Sequence, residues 1–89
     1  MKVKIQVKYI GSETMSDYEY SSLENQAIKR IEGIYNPMSG VSRAKIEFDL
    51  GLGGKKTLEY APFVVDINWR DIETLLAMLL HMEHRLDAV

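Results

Sequence analysis

Polar and apolar side chains alternate at the start of the chain, where lysines and Gln6 occupy the even positions up to Lys8. A period of two predicts a β-strand with one buried and one solvent-facing side. Gly11 and Ser12 end this first strand. The residues predicted to face the core are Val3, Ile5, Val7 and Tyr9.

The next apolar positions follow a helical spacing. Glu13 to Tyr20 is predicted to be a polar connection, and Ser21 with Glu24 has the spacing of a capping box at a helix start. Asn36-Pro37 ends the helix because the residue before a proline disfavours helical geometry. The apolar positions of this first helix are Leu23, Ala27, Ile28, Ile31, Ile34 and Tyr35.

Two further strands are predicted around a glycine-rich tip. Ala44, Ile46, Phe48 and Leu50 alternate with charged residues and form the second strand, and residues 51–54 (Gly-Leu-Gly-Gly) form a hairpin tip. The third strand extends from about Thr57 to Ile67. Its apolar phase changes midway, which predicts a bulge at Ala61-Pro62.

The last helix carries more apolar surface than a small sheet needs. Asn68 is its predicted N-cap, and Ile67 with Ile72 fits a hydrophobic staple. From Trp69 to Leu86 the apolar positions cover an arc of roughly 200°, against a usual stripe a little over ~100°. Either the first helix covers the excess or a second molecule does, a twofold homodimer being the commonest arrangement. The predicted dimer contact is Leu75, Met78 and Met82.

These elements predict an α+β fold in a single domain over residues 1–89. The order is β-α-β-β-α, and the simplest architecture is a two-layer sandwich with a three-stranded sheet and both helices packed on one face. The first and second predicted strands would be parallel, joined through the first helix. The second and third would form an antiparallel hairpin.

Composition limits the class of protein. The chain has 89 residues, a formal net charge of −2 and no cysteine, so disulfide frameworks, cysteine zinc sites and thiol nucleophiles are excluded. The charge lacks the basic excess typical of duplex-binding domains. The first ten residues lack the continuous apolar run of a signal peptide, and no apolar run is long enough to span a bilayer. We expect a cytoplasmic protein.

Catalytic and metal motifs are absent from the sequence. The glycine-rich stretch before Lys55 and Lys56 fails as a phosphate-binding loop, because Lys56 stands where Ser or Thr is needed and a strand follows. His81 and His84 lie three apart on the last helix, but their spacing around Glu83 matches neither zinc-protease pattern. No Ser/His/Asp set can be assembled. We therefore predict no enzymatic activity, no cofactor and no metal.

An acidic aromatic segment is the predicted partner-binding surface. Clustered acid steers basic partners, and tyrosine is enriched at protein interfaces. The alternative is a polar loop with Tyr20 tucked at the helix entry. The residues predicted to bind a partner are Glu13, Asp17, Tyr18, Glu19 and Tyr20.

The lysine-bearing sheet face supports a second hypothesis, a nucleic-acid-binding module that uses Lys2, Lys4, Lys8, Lys45 and the Lys55-Lys56 tip. Single-strand platforms need aromatic residues among the charges, and here the aromatic residues are predicted to face the core. Glu47, Asp49 and Glu59 also dilute the positive field. A third hypothesis is a small enzyme or ligand sink that uses a dimer cleft.

The favoured hypothesis is a non-enzymatic regulator or inhibitor that acts through protein–protein contacts. Small, mildly acidic domains without cysteine are common among inhibitors carried by phages and mobile elements. A concrete form, by analogy of size and composition, is an anti-CRISPR-like counter-defence inhibitor of a basic nucleic-acid-handling enzyme. The acidic aromatic segment would occupy a basic groove of that enzyme by electrostatic complementarity.

Overall fold

The sheet has four antiparallel strands, one more than the sequence predicts. The computed structural model describes residues 1–36, 38–61 and 69–87, with side chains over 70–82 in the last range. Its strand order is β2-β1-β3-β4, so β2 and β4 are the edges. The elements are β1 (Lys2–Tyr9), β2 (Met15–Tyr20), α1 (Asn25–Tyr35), β3 (Val41–Asp49), β4 (Lys55–Tyr60) and α2 (Trp69–Asp87).

The unpredicted strand is β2, which replaces the polar connection expected over Glu13 to Tyr20. Its register with β1 pairs Tyr18 with Ile5 and Tyr20 with Val3. The expectation was wrong because β2 lies at an edge and buries its inward residues only in part, so polar and aromatic residues satisfy a period of two without an aliphatic stripe. Gly11, at φ 83°, helps to turn the β1–β2 hairpin.

The added strand also changes the predicted strand directions. We expected the first and second predicted strands, now β1 and β3, to be parallel, but they are antiparallel. Both β2 and β3 are antiparallel to β1, and they therefore run the same way as each other. Helix α1 is the crossover between β2 and β3, with β1 lying between them. The handedness rule for a crossover between parallel strands therefore concerns β2 and β3, and not β1 and β3 as expected.

Helix α1 begins later than predicted. Glu24 occupies the N-cap position and its side chain makes no capping hydrogen bond, so the predicted capping box from Ser21 to Glu24 does not form. Residues 21–23 instead turn the chain from the sheet edge onto its face, where Leu23 is buried. The C-terminal end is as predicted, since Asn36 is the C-cap and its N–H donates to the Gly33 carbonyl oxygen.

The core lies against the sheet face that bears Ile5, Ile46 and Phe48, all of which are fully buried. Helix α1 contributes Ala27, Ile31 and Ile34 to this core. Helix α2 contributes a stripe of its own. The buried residues of α2 are Ile72, Leu76 and Leu79.

The predicted glycine-rich hairpin between β3 and β4 is confirmed. Gly51–Gly53 form a 3₁₀ turn, and the Asp49 carboxylate accepts a hydrogen bond of 2.9 Å from the Gly51 N–H. Strand β4 begins at Lys55 and ends at Tyr60. The predicted bulge at Ala61-Pro62 cannot be followed beyond Ala61, because residues 62–68, with the predicted strand end at Ile67 and the Asn68 cap, lie outside the described residues.

Candidate functional site

Strand alternation divides the predicted acidic aromatic segment between two faces of the sheet. Asp17 and Glu19 are exposed on the solvent face, whereas Tyr18 and Tyr20 lie half-buried on the helix-bearing face. Glu13 is exposed in the hairpin turn before β2. The five residues therefore form two separate surfaces, acidic on one side of β2 and aromatic on the other.

The acidic side of β2 belongs to a row of alternating charges. Lys4 of β1 lies opposite both Glu19 and Glu47, and its ammonium is 3.6 Å from a Glu19 carboxylate oxygen. Lys45 of β3 lies opposite Glu59. The lysine-bearing face is thus interleaved with carboxylates, and within the four described strands its outward positions carry no aromatic side chain. These features disfavour it as a nucleic-acid platform.

The free side of β2 is one of the two edges of the sheet. Among the described residues β2 pairs with β1 alone, so its other side presents unpaired backbone groups. Edge strands of this kind are templates for pairing with another chain unless charge, proline or a covering element blocks them. The residues of β2 on the helix-bearing face, Ser16, Tyr18 and Tyr20, carry no charge.

An arginine on α1 lies over the aromatic side of β2. The Arg30 guanidinium carbon is 3.6 Å from the centroid of the Tyr18 ring, a cation–π contact. Its Nε donates a 2.7 Å hydrogen bond to the Tyr20 hydroxyl oxygen. This hydrogen bond raises the pKa of Arg30 against the opposing effect of burial. Sequence reasoning missed Arg30 because its role depends on β2 being a strand.

The predicted dimer contact on α2 is exposed in part. Leu75 is half-buried and packs against the core, whereas Met78 is 60% exposed and Met82 is 39% exposed. Nothing in the described residues shows what covers the methionines. The homodimer through Leu75, Met78 and Met82 therefore stays a prediction.

The remaining candidate residues make no evident site. Lys55 and Lys56 are exposed at the start of β4, and the Lys55 ammonium lies 3.8 Å from a Glu47 carboxylate oxygen. His81 is exposed, while the side chain of His84 lies outside the described residues. In the part of the chain that is described, no three His, Asp or Glu side chains are grouped as metal ligands.

No protein-family model matches this sequence, and comparison with curated proteins and with solved structures finds no significant match. Over the described residues, neither helix combines the length and the apolarity that crossing a bilayer demands.

Proposed function

We propose that this chain is a non-enzymatic protein-binding module in which β2 accepts an extended basic segment of a partner protein as an added strand. The proposal rests on the unpaired hydrogen-bonding edge of β2. Asp17 and Glu19 of this strand lie on the solvent face of the sheet, and its residues on the helix-bearing face carry no charge. In strand addition, backbone hydrogen bonds provide affinity and alternate side chains provide specificity.

The charge of β2 favours a basic partner strand. Side chains directly opposite Asp17 and Glu19 on an added strand share their face, and opposite charges there are stabilising. Strand β1 already illustrates this pairing, since Lys4 lies opposite Glu19. A segment that alternates Lys or Arg with uncharged residues therefore fits the free side of β2.

The same charges disfavour a second copy of the chain at this edge. Two β2 strands can pair antiparallel along most of their length with their solvent faces on the same side. Asp17 then lies opposite Asp17 or Glu19 of the other copy. Parallel pairing in register also places each carboxylate opposite its own equivalent. Like charges directly opposite are destabilising. The proposed occupant is therefore a different protein.

In functional terms the module would act as a regulator or inhibitor by covering a basic surface of its partner. An enzyme that handles nucleic acids has such a surface, because binding phosphates requires lysine and arginine. Electrostatic complementarity would speed encounter and exclude acidic partners. An inhibitor of the anti-CRISPR-like kind is one concrete form, supported by size and charge alone.

A peptide titration tests the proposal. A peptide that alternates Lys with Thr or Val is added to the protein, and backbone amide shifts and heat of binding are recorded, with a Glu-alternating peptide for comparison. We expect the basic peptide to shift amides of Met15–Tyr20 and the acidic peptide to bind weakly. In Asp17→Lys the affinity for the basic peptide should fall by about five- to tenfold, because an attraction becomes a repulsion.

Glu59→Lys is the matched control, since it makes the same charge change on the solvent face of the opposite edge strand. We expect it to lower the affinity by less than about twofold, because Glu59 lies farther from β2 than the Debye length over which surface charges interact. The proposal is wrong if the basic peptide leaves the β2 amides unshifted, or if both variants weaken binding equally.

A further inference from the structure

A cleft lies between the flank of α1 and the sheet, on the helix-bearing side beside β2. Its volume is about 490 Å³, within the usual range of small-molecule sites. Its apolar lining residues, Val7, Ile34 and Val41, belong to the core and are almost fully buried. The polar lining residues are Tyr9, Tyr20, Gln26, Lys29, Arg30 and Ser39.

The charge of this cleft opposes that of the whole chain. Two cationic side chains, Lys29 and Arg30, line it, and none of its lining residues is Asp or Glu. The chain as a whole has a formal net charge of −2. A concave site lined by one sign of charge concentrates ligands of the opposite sign. The cleft is therefore suited to an anion.

The hydrogen-bond donors in the cleft are held in place by their own contacts. The Tyr18 ring contacts one face of the Arg30 guanidinium, and the Tyr20 hydroxyl oxygen accepts a hydrogen bond from its Nε. Its terminal amino groups donate to no described residue, so they can form a forked contact with phosphate. Because the Tyr20 oxygen accepts the bond from Nε, the Tyr20 proton can be donated to the same anion.

The size of the cleft indicates an organic anion. Phosphate alone would fill only a small part of the cleft volume of about 490 Å³. The Tyr9 side chain at the cleft is 38% exposed, so it can contact a flat ring. We infer that this cleft binds a small phosphate monoester carrying a flat ring, the chemistry of a nucleoside monophosphate, with Arg30 and Lys29 on the phosphate.

The test is a titration of the full chain at low salt with AMP, adenosine and inorganic phosphate, followed by amide shifts and calorimetry. We expect saturable AMP binding that shifts the amides of Lys29, Arg30 and Ser39. Adenosine and inorganic phosphate should each bind at least about tenfold more weakly, because adenosine lacks the phosphate and inorganic phosphate lacks the ring. The affinity for phenyl phosphate, compared with that for AMP, shows whether any ring-bearing phosphate binds or whether a nucleotide is preferred.

Variants then assign the contacts. Arg30→Gln should weaken AMP binding by about tenfold or more, and Lys29→Gln, at an exposed position that does not endanger folding, by about threefold. Lys56→Gln, at the start of β4 and outside the cleft, should leave the affinity within a factor of about two. Equal weakening in Lys29→Gln and Lys56→Gln, or no saturable AMP binding, would overturn the inference.

Discussion

The two edges of the sheet are built differently. On the helix-bearing side, β4 carries Lys56 opposite the fully buried Phe48, whereas β2 carries Tyr18 opposite the fully buried Ile5. A charge on the core-facing side of an edge strand opposes the addition of another strand, because the newcomer would bury it. By this criterion β4 is protected and β2 is not.

The difference indicates where the molecule can accept a partner. Both edges have exposed backbone groups in the described part of the chain, but only β2 combines an uncharged inner side with carboxylates on its outer side. Beneath its inner side, Arg30 holds Tyr18 and Tyr20 in fixed positions. A rigid, selectively charged edge is better prepared for binding than a mobile loop, since less entropy is lost on association.

The largest effect on stability should come from removing the aromatic anchor of β2. Tyr18→Ala removes a half-buried ring that pairs with Ile5 and supports Arg30, and it should lower the free energy of unfolding by about 1–2 kcal/mol. Urea unfolding followed by circular dichroism measures the change. Lys56→Ala on β4 is the control and should stay within about 0.5 kcal/mol. Equal losses in both variants would contradict the contrast between the edges.

The contact that attaches β4 to α1 should have a smaller effect on the free energy of unfolding, and only at alkaline pH. Tyr60 of β4 makes an edge-to-face contact with Tyr35 of α1, with centroids 5.1 Å apart. Burial, and secondarily the nearby Tyr60, raises the pKa of Tyr35 above its ordinary value of 10.0.

Because the folded chain holds Tyr35 neutral, its contribution to stability is complete below the unfolded pKa and is lost as pH rises through the folded pKa. Tyr35→Phe should therefore make the decline in the free energy of unfolding above about pH 10 shallower. Urea titrations at pH 8, 10 and 11 measure this slope. An unchanged slope would show that Tyr35 does not titrate differently in the two states.

The smallest effect on the free energy of unfolding should accompany a change in association. Lys56→Val removes the charge from the core-facing side of β4 and should alter stability by no more than about 0.5 kcal/mol, since Lys56 is exposed. It should nevertheless increase concentration-dependent self-association, measured by light scattering or sedimentation velocity.

Lys55→Val on the solvent face of β4 is the control for Lys56→Val, because it removes the same charge from the neighbouring residue. We expect it to associate less than Lys56→Val. If the two variants remain equally monodisperse, Lys56 does not protect the edge.

Much of the central fold could be predicted from aliphatic periodicity. The period of two in β1 and β3 and the helical spacing of Ala27, Ile31 and Ile34 matched the observed elements, because each buries a continuous apolar stripe. The glycine-rich hairpin was also predicted. Strand β2 was missed because an edge strand buries little, and the carboxylates in its sequence suggested a loop.

The candidate site was predictable only in part. The acidic and aromatic residues of positions 13–20 were singled out from the sequence, but as one surface on a loop. Their division between two faces follows from strand geometry, which places alternate side chains on opposite sides. Arg30 and the cleft beside it depend on the way α1 folds back over β2, and no periodicity in the sequence indicates that contact.

The sequence by itself determined the α+β class, the apolar stripes of the core and the turn between β3 and β4, because local periodicity and backbone preferences act over a few residues. Tertiary structure alone decided which strand became a free edge, which side each carboxylate faces and which cation meets the tyrosines. Those properties depend on strand order and on packing between separate strands and helices, where burial outweighs local propensity.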